Sequence, residues 1–202
     1  AGFHGVSPNM KPDPYDPKMA KKLMAEAGYA DGFKMVIHGP NDRYINDAKI
    51  AEALAQMLNR VGIEASVETM TKAVYFGRAS RGGPDKSPEF SFMLLGWGAG
   101  SGEASSPLKA LLHTYDKSKG LGAANRGRHT DAEVDTLIQK ALATVDSDAR
   151  GKLLAAATEK AVGENYGVIP LHYQVNTWAA KAGYKYLPRT DERTIVMGLS
   201  AN

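Results

Sequence analysis

The sequence predicts an α/β fold in which a central, mostly parallel sheet is flanked by helices. In the first half of the chain, short apolar or alternating segments take turns with amphipathic helical segments. Such strand–helix–strand units close right-handed and place their strands in parallel. The 202 residues, 43% hydrophobic and 23% charged, have the composition of an ordinary globular protein and suit one domain.

The chain begins with a predicted extended arm and a well-marked helix. Residues 1–14 contain three prolines and no hydrophobic period. In the helix that follows, Asp16 is the predicted cap, Pro17 occupies the first helical position and Gly28 ends the helix. Its apolar side is formed by Met19, Leu23, Met24 and Ala27.

Three elements are predicted next. Residues 33–38 form a short strand. Residues 45–61 form the clearest helix, because apolar residues recur there with a period of 3.6. Residues 63–69 alternate strictly between apolar and polar, which indicates a half-exposed strand toward a sheet edge. The predicted inward residues of the helix are Ile50, Leu54, Met57, Leu58 and Val61.

Residues 90–107, FSFMLLGWGAGSGEASSP, are the stretch around which the site is predicted. A helix over residues 71–81 precedes it. Residues 90–95 are apolar almost throughout, as in a central strand that is covered on both faces. A glycine-rich loop with a tryptophan follows, and it leads to a helix from residue 107 with Ser105 or Ser106 as its cap.

The second half is predicted to be mainly helical. Residues 115–128 are irregular, and two helices cover residues 130–145 and 146–165, the second capped by Asp146 or Ser147. The inward residues are Val134, Leu137, Ile138, Ala141, Leu142 and Val145 in the first helix, and Leu153, Leu154, Ala157 and Ala161 in the second.

Two or three short strands are predicted near the end of the chain. One covers residues 167–173, where Pro170 favours a sheet edge or a bulge. A possible strand over residues 176–180 includes Trp178 as a core residue. After a polar loop that starts at residue 181, residues 194–199 form a last strand without an obvious local partner.

Composition argues against several functions. The net charge is only +3, and no basic block is interleaved with aromatic residues, so nucleic-acid binding is not supported. The chain has no cysteine, which excludes disulfides and thiolate metal sites. No two of the five histidines have the spacing of a zinc motif, and no nucleophile elbow is present. No metal, cofactor or catalytic residue is therefore predicted.

The glycine-rich loop is the first candidate site, because ligands of open α/β folds bind at the carboxyl ends of strands. Its glycines alternate at positions 96, 98, 100 and 102, and this spacing fails the dinucleotide fingerprint. Trp97 is predicted to form an apolar wall of a cleft. Alternatively, it is a core residue above a plain strand–helix connection. The predicted polar contacts come from Gly98, Ala99, Gly100, Ser101 and Glu103.

Further candidate residues lie in other loops. Asn125 and Arg126 could donate hydrogen bonds to a ligand, or they belong to a solvated loop. Tyr173 is a weaker candidate near the end of a predicted strand. Arg78 and Arg81 could pair with a ligand carboxylate, although arginines in such positions more often lie at the surface.

Five segments resemble the peptide/nickel-type (family 5) extracytoplasmic solute-binding proteins of ABC importers. They are YDPKMAKKLMAEAGYADGF, NRVGIEASVETM, FSFMLLGWGAGSGEASSPL, AANRGR before a helix, and VIPLHYQVNTWA. The first helix and the strand that ends in GW are the most specific of these. Members of the family are longer and have two lobes, and this chain is similar to their C-terminal portion.

The resemblance implies a fold, a partner set and a location. Residues 15–180 would be an α/β ligand-binding lobe, residues 1–14 an arm or hinge segment, and residues 181–202 a tail that returns to a missing N-terminal lobe. The protein would be periplasmic and would deliver a small solute or short peptide to an ABC permease. It would not be an enzyme. The alternatives are a nucleotide-dependent α/β enzyme and an interaction module derived from such a receptor.

The resemblance also implies an acidic residue that pairs with the amino terminus of a peptide ligand. That position falls near Gly100 in this sequence. The nearest carboxylate is Glu103. Either Glu103 takes the role of the acidic residue, or the ligand is not held by a free amino group.

Overall fold

The computed structural model describes residues 3–83, 85, 87–189, 191 and 193–201. They fall into two compact units, Ala1–Ile169 and Pro170–Asn202. Every helix in these described ranges is too short or too polar to cross a membrane. The assignment of the arm and of the tail to a first lobe stays a prediction.

The first unit contains a three-stranded parallel sheet. Its strands are β1 (Lys34–Pro40), β2 (Glu64–Met70) and β3 (Phe92–Met93), in the order β2-β1-β3. In the register, Ile37 of β1 lies opposite Val67 of β2 and Phe92 of β3. The predicted parallel α/β arrangement is therefore confirmed, and β2 lies at an edge as its alternating pattern indicated.

The prediction of a central strand over residues 90–95 is wrong. Only two residues pair in β3, which is an edge strand, and the central strand is β1. The apolar run has a different cause, because Phe90 and Leu94 are buried on either side of these two residues. Phe90 packs with Tyr75 and Ala79 of helix α3 (Lys72–Arg81) and stacks on the ring of His38, so side-chain packing and not strand pairing buries it.

Helix α1 (Pro17–Glu26) starts and ends as predicted, but its apolar side is not buried. The Asp16 carboxylate accepts the backbone N–H groups of residues 18 and 19, and Gly28 follows with a φ of +86°. Met19 is 47% exposed and Leu23 is 55% exposed. The amphipathic pattern of α1 thus predicted the helix correctly and its packing incorrectly.

Helix α2 (Asp47–Arg60) packs on β1 through small residues. Ala51 and Ala55 are buried against Ile37, with Leu54 and Leu58 beside them. Met57, which was predicted to face inward, is 48% exposed. The buried face of α2 therefore runs along Ala51 and Ala55 and not along the centre of the predicted stripe.

The rest of the first unit is a helical layer. Helix α4 (Ser105–Pro107) continues as a π-helical turn, Leu108–Leu112. Helix α5 (Ala132–Ala143) is followed by α6 (Ser147–Thr158), which continues as a second π-helical turn, Glu159–Glu164. Their shared core consists of Leu108, Leu112, Val134, Ile138, Ala141, Leu154, Ala157 and Ala161.

Several details of this layer differ from the prediction. Asp146 caps α6 as expected, whereas Ala104 precedes α4 and both predicted serine caps lie inside that helix. Asp131 caps α5, which begins two residues later than the predicted start at residue 130. Leu142 is 38% exposed, and Val145, which lies beyond the end of α5, is 97% exposed, so the prediction that they face inward is wrong.

The N-terminal arm lies against the helical layer. The backbone of His4 exchanges hydrogen bonds with Gly102 and Ala104, each 3.0 Å long. Ser7 and Asn9 both donate to the Glu159 carboxylate. These contacts fix residues 4–9 on the loop that follows Trp97 and on the end of α6.

The second unit contains an antiparallel pair of strands, β4 (Tyr184–Tyr186) and β5 (Leu199–Ala201). A 3-10 turn, Val196–Gly198, precedes β5. The prediction of a partnerless strand over residues 194–199 is therefore wrong, because β5 pairs with a segment that was predicted as loop.

The strands predicted over residues 167–173 and 176–180 are also absent from these fully described segments. Pro170 has no N–H for a strand ladder, and the side chains on both sides of it are largely exposed. Trp178 is half-buried. Its Nε1 donates to Thr194 Oγ1 at 2.9 Å and its ring lies against Tyr186.

Candidate ligand-binding site

An open cavity of about 380 Å³ lies at the carboxyl ends of β1 and β3. This is the edge of a parallel sheet at which open α/β folds bind ligands. We refer to it as the Trp97 cavity. It is lined by Arg43, Tyr44, Phe76, Leu95, Gly96, Trp97, Gly98 and Arg126.

The second unit has a cavity of its own, of about 490 Å³. Aromatic and aliphatic side chains of β4, β5 and the segment around Trp178 line it, and Lys181 is its one charged residue among those described. We place the site at the Trp97 cavity because, of these two cavities and among the described residues, it is the one at which strand ends, aromatic walls and two cations meet.

Contact between Tyr44 and Gly96 shapes the Trp97 cavity. The Tyr44 hydroxyl donates to the Gly96 carbonyl at 3.2 Å. A Cβ at residue 96 would lie 2.6 Å from Tyr44 Cε1, closer than two carbon atoms can approach. Residues 98 and 100, by contrast, have no atom within 4 Å of such a Cβ. Of these three positions, residue 96 alone must be glycine because the neighbouring Tyr44 side chain leaves no room for a Cβ.

Asp47 holds the loop that carries Arg43 and Tyr44. It is buried at the first position of α2. One carboxylate oxygen accepts the backbone N–H groups of Arg43 and Tyr44, at 2.9 and 3.0 Å, and the other accepts the N–H of Ala48 at 2.9 Å. Three N–H donors therefore satisfy the carboxylate, and the loop is fixed to the helix.

Trp97 and Arg126 lie on the open side of the cavity. Trp97 is 45% exposed, which agrees with a cavity wall and excludes the alternative that it is a core residue. The Arg126 guanidinium lies 5.0 Å from the centre of the Phe76 ring, and its Nε donates to Ser80 Oγ at 3.1 Å.

Tyr75 lies beneath these residues and donates its hydroxyl to the Leu94 carbonyl at 2.8 Å. Burial raises the pKa of Tyr75, the neighbouring Tyr44 raises it further, and the Arg126 cation opposes both effects. Because the net shift is upward, Tyr75 stays a neutral donor at physiological pH. It supports the end of β3 from below.

Glu103 does not line the cavity. Arg150 donates to its Oε1 through both Nε and Nη2, each at 2.7 Å, and both side chains are 21% exposed. Burial raises the pKa of Glu103, whereas hydrogen bonds from Arg150 and Ser105 and the electrostatic effect of His4 lower it. The lowering effects are larger together, so the pKa of Glu103 lies below its ordinary value. The carboxylate already has a partner, which argues against its use as an anchor for a ligand amine.

The other predicted site residues are dispersed. Asn125 is buried and donates to the carbonyls of His113 and His129, at 3.0 and 2.7 Å, so it shapes its own loop. Ala99, Gly100 and Ser101 belong to the loop after the cavity but not to its lining. Tyr173 lies in the second unit and is 89% exposed. The structure thus brings together three of the predicted residues, Trp97, Gly98 and Arg126.

Arg78 and Arg81, the other arginines considered, lie on α3 outside the cavity. Arg78 pairs with Glu68 and Glu89, at 2.9 and 2.7 Å. In the described part of the chain, no group of three or more histidine or acidic side chains could hold a metal ion.

A model of the family described as bacterial extracellular solute-binding proteins, family 5 Middle, matches residues 1–119. The chain belongs to this family. The resemblance seen in the sequence is thereby confirmed.

Curated relatives and solved structures agree with this assignment. The family-5 chain is 31% identical over 150 residues to heme-binding protein A of Haemophilus influenzae, an alignment that covers 71% of this chain and 25% of that protein. It is 30% identical over 149 residues to the glutathione-binding protein GsiB of Escherichia coli, with 74% and 28% covered. The chain therefore spans little more than a quarter of the length of these relatives.

The structure of HbpA2 from Haemophilus parasuis superposes with a TM-score of 0.78 at 23% identity, over 98% of this chain and 38% of that one. The periplasmic binding protein DppA from Helicobacter pylori, in complex with the peptide STSA, superposes with a TM-score of 0.68 at 25% identity. This alignment covers 82% of this chain and 30% of DppA. The predicted fold of a periplasmic-binding-protein lobe is confirmed.

Sequence reasoning missed five residues of the family-5 chain's cavity: Arg43, Tyr44, Phe76, Leu95 and Gly96. The signal for two of them was present. The loop over residues 39–44, which contains Arg43 and Tyr44, directly follows a predicted strand. The rule about carboxyl strand ends was applied only to the loop after residue 95. Phe76 gave no such signal, because its position depends on how α3 packs.

We expect Gly96→Ala to disturb the cavity and Gly98→Ala to leave it intact. The added methyl group at residue 96 must displace the Tyr44 ring, and overpacking of this kind costs about 1–3 kcal/mol. At residue 98 the methyl group meets open space, so we expect a change within about 0.5 kcal/mol. Urea unfolding of both variants measures the difference, and equal stabilities would contradict the close contact.

The Glu103–Arg150 pair gives a pH-dependent contribution to stability. Since the folded pKa of Glu103 lies below its ordinary value of 4.5, the contribution is complete above that value and is lost as the pH falls through the folded pKa. We expect the wild type to be more stable than Glu103→Gln near neutral pH, and the difference to vanish in acid. Urea unfolding over a pH series measures it.

Glu26→Gln is the matched control for this series. Glu26 forms an exposed pair with Lys22 at 3.7 Å, and such pairs contribute little. A difference for Glu103→Gln that persisted unchanged in acid would show that the carboxylate charge is not the cause.

Proposed function

We propose that the chain is a solute-binding lobe of an extracytoplasmic receptor that delivers a small organic solute or a short peptide to an ABC permease. The observation that carries the proposal is the Trp97 cavity, an open, aromatic-walled depression at the carboxyl ends of β1 and β3. Membership of the solute-binding family supports it. Relatives are named for heme and glutathione, and a solved neighbour that holds a peptide is described as ABC transporter-associated.

The mechanism follows from the openness of the cavity. A pocket normally buries about 70–90% of a small ligand, and the Trp97 cavity leaves one side of the ligand uncovered. We propose that a second lobe closes over this side by a hinge motion, and that the closed, liganded form is recognised by the permease. Residues 1–14 and 181–202 would connect to that lobe, and the protein would act in the periplasm.

The cavity lining favours binding over catalysis. Among the described residues, the lining side chains are aromatic, aliphatic or arginine, and they include no carboxylate, histidine or serine that could act as a base or nucleophile. The loop after residue 95 also lacks the glycine fingerprint that a nucleotide-dependent enzyme would need. We expect the protein to have no catalytic activity.

Trp97 provides the test, because it is one of only two tryptophans. In Trp178→Phe, Trp97 is the sole indole fluorophore. The solute would be identified by mass spectrometry of molecules that copurify with the complete gene product from its own host. We expect this solute to change the Trp97 emission saturably, and Trp97→Ala to weaken binding roughly tenfold through loss of the aromatic wall.

Trp178→Phe serves as the matched control for affinity, and we expect it to bind within about twofold of the wild type. Unchanged affinity in Trp97→Ala would contradict the proposed site. Calorimetry with the 202-residue chain alone should show weak or no binding, and tight binding would contradict the need for a second lobe.

A further inference from the structure

We propose that residues 4–9 form a strap that controls the order of the loop carrying Trp97, so that the loop is fixed while the strap is docked and mobile when the strap detaches. The inference rests on the proposed function and concerns the regulation of the same site. In the receptor the strap would connect to the second lobe. Opening of the two lobes would then pull on the strap and loosen a wall of the cavity.

The first half of the strap is packed closely against α6. Gly5 has a φ of +78°, and a Cβ at this residue would lie 2.6 Å from the Cβ of the fully buried Leu154. The ring of His4 lies equally near the helix, since a Cβ at Gly151 would meet its Cε1 at 2.9 Å. The strap is therefore seated at a distance that a side chain at either glycine would prevent.

Glu159 holds the second half of the strap. Its carboxylate accepts the hydroxyl of Ser7, which is buried, and the side-chain amide of Asn9 at 2.9 Å. These two hydrogen bonds, the one from Ser7 first, lower the pKa of Glu159 below its ordinary value. The carboxylate is therefore charged at neutral pH, and hydrogen bonds to a charged acceptor are stronger than neutral ones.

The loop that carries Trp97 has few hydrogen bonds of its own. The Tyr44 hydroxyl holds its first end at the Gly96 carbonyl. In the described part of the chain, residues 97–101 take part in one hydrogen bond, a 3.0 Å bond within the turn that ends at Gly102. The order of Trp97 therefore depends on how the far end of the loop is held.

The strap holds that far end through the backbone. The His4 N–H donates to the Gly102 carbonyl, and the His4 carbonyl accepts the Ala104 N–H, each at 3.0 Å. Between these two residues, Arg150 holds the side chain of Glu103. Detachment of the strap would remove the two backbone contacts and leave the ion pair, which fixes a side chain and not the path of the loop.

The test detaches the strap and observes the loop by NMR in the 202-residue chain. In Glu159→Ala, the strap loses the acceptor of both its side-chain hydrogen bonds. We expect the backbone order parameters of Trp97 and Gly98 to fall from about 0.85, typical of rigid backbone, to below about 0.6. We also expect the Ala104 amide to exchange roughly tenfold faster, because its acceptor lies on the strap.

A second variant and two controls locate the effect. Gly5→Ala detaches the strap at a different contact, since the added methyl group meets Leu154, and should give the same changes. Glu164→Ala is the matched control, because it truncates the same side chain in the same π-helical turn, where the partner is a lysine one turn earlier and not the strap. The order parameter of Tyr44, whose N–H is held by Asp47, should stay unchanged in every variant.

Four results would overturn the strap: a loop that is already mobile in the wild type, a slowly exchanging Ala104 amide in both variants, a loop that stays ordered although this amide exchanges fast, and equal loosening of Trp97 and Tyr44. The proposed function can fail separately. If the loop loosens as expected but the complete gene product carries no solute at Trp97, the receptor role fails and the strap stands. If a copurified solute rests on Trp97 but the loop stays ordered in both variants, the strap fails and the receptor role stands.

Discussion

The position of β1 between β2 and β3 is the constraint on which the first unit depends. Ile37, in the middle of β1, is fully buried beneath Ala51 and Ala55 of α2 and lies opposite residues of both neighbouring strands. Because all three strands are parallel, their carboxyl ends reach the same edge of the sheet. The loop after β1 and the loop after β3 must therefore meet there, and their contact creates the cavity.

At that edge, a few short contacts give the cavity its form. Asp47 fixes the first loop by accepting backbone donors, and the Tyr44 ring then lies so close to Gly96 that no side chain fits at residue 96. Trp97 is consequently directed outward, partly exposed, on the open side of the sheet edge. The contact between the two loops thus forms the site. It explains why residue 96 is glycine, but not why residues 98 and 100 are.

Arginines of the first unit have different surroundings. Arg150 joins the loop at Glu103 to the α5 carbonyl of Ala141 and pairs with the Glu103 carboxylate at 2.7 Å. The two arginines of the cavity instead lie against aromatic rings. Arg43 and Arg126 therefore place two cations in the lining of the Trp97 cavity.

Much of the fold could be predicted from local patterns, since caps and periodicity report on the chain itself. Asp16, Gly28 and Asp146 marked helix ends correctly, and the alternation in β2 predicted an edge strand. The predictions that failed concerned features that are set by residues distant in the sequence. Residues 90–95 are apolar because α3 covers Phe90, α1 leaves Leu23 exposed, and β5 pairs with a segment that has no strand pattern.

The candidate site shows the same difference between local features, which the sequence predicts, and contacts with distant residues, which it does not. Trp97 and Gly98 could be found because they follow an apolar segment, and Arg126 because it is a donor in a loop. Glu103 and Asn125 carry suitable groups, but Arg150 and the carbonyls of His113 and His129 already occupy them. Sequence chemistry alone cannot show which polar groups are left unpaired after folding.

The central claim is that the solute rests on the Trp97 cavity. The most direct measurement is a crystal structure of the complete gene product with its copurified solute. We expect the solute to contact the Trp97 and Tyr44 rings at the carboxyl ends of β1 and β3 and to be enclosed by a second lobe. A solute bound elsewhere, with Trp97 and Tyr44 left free, would contradict it.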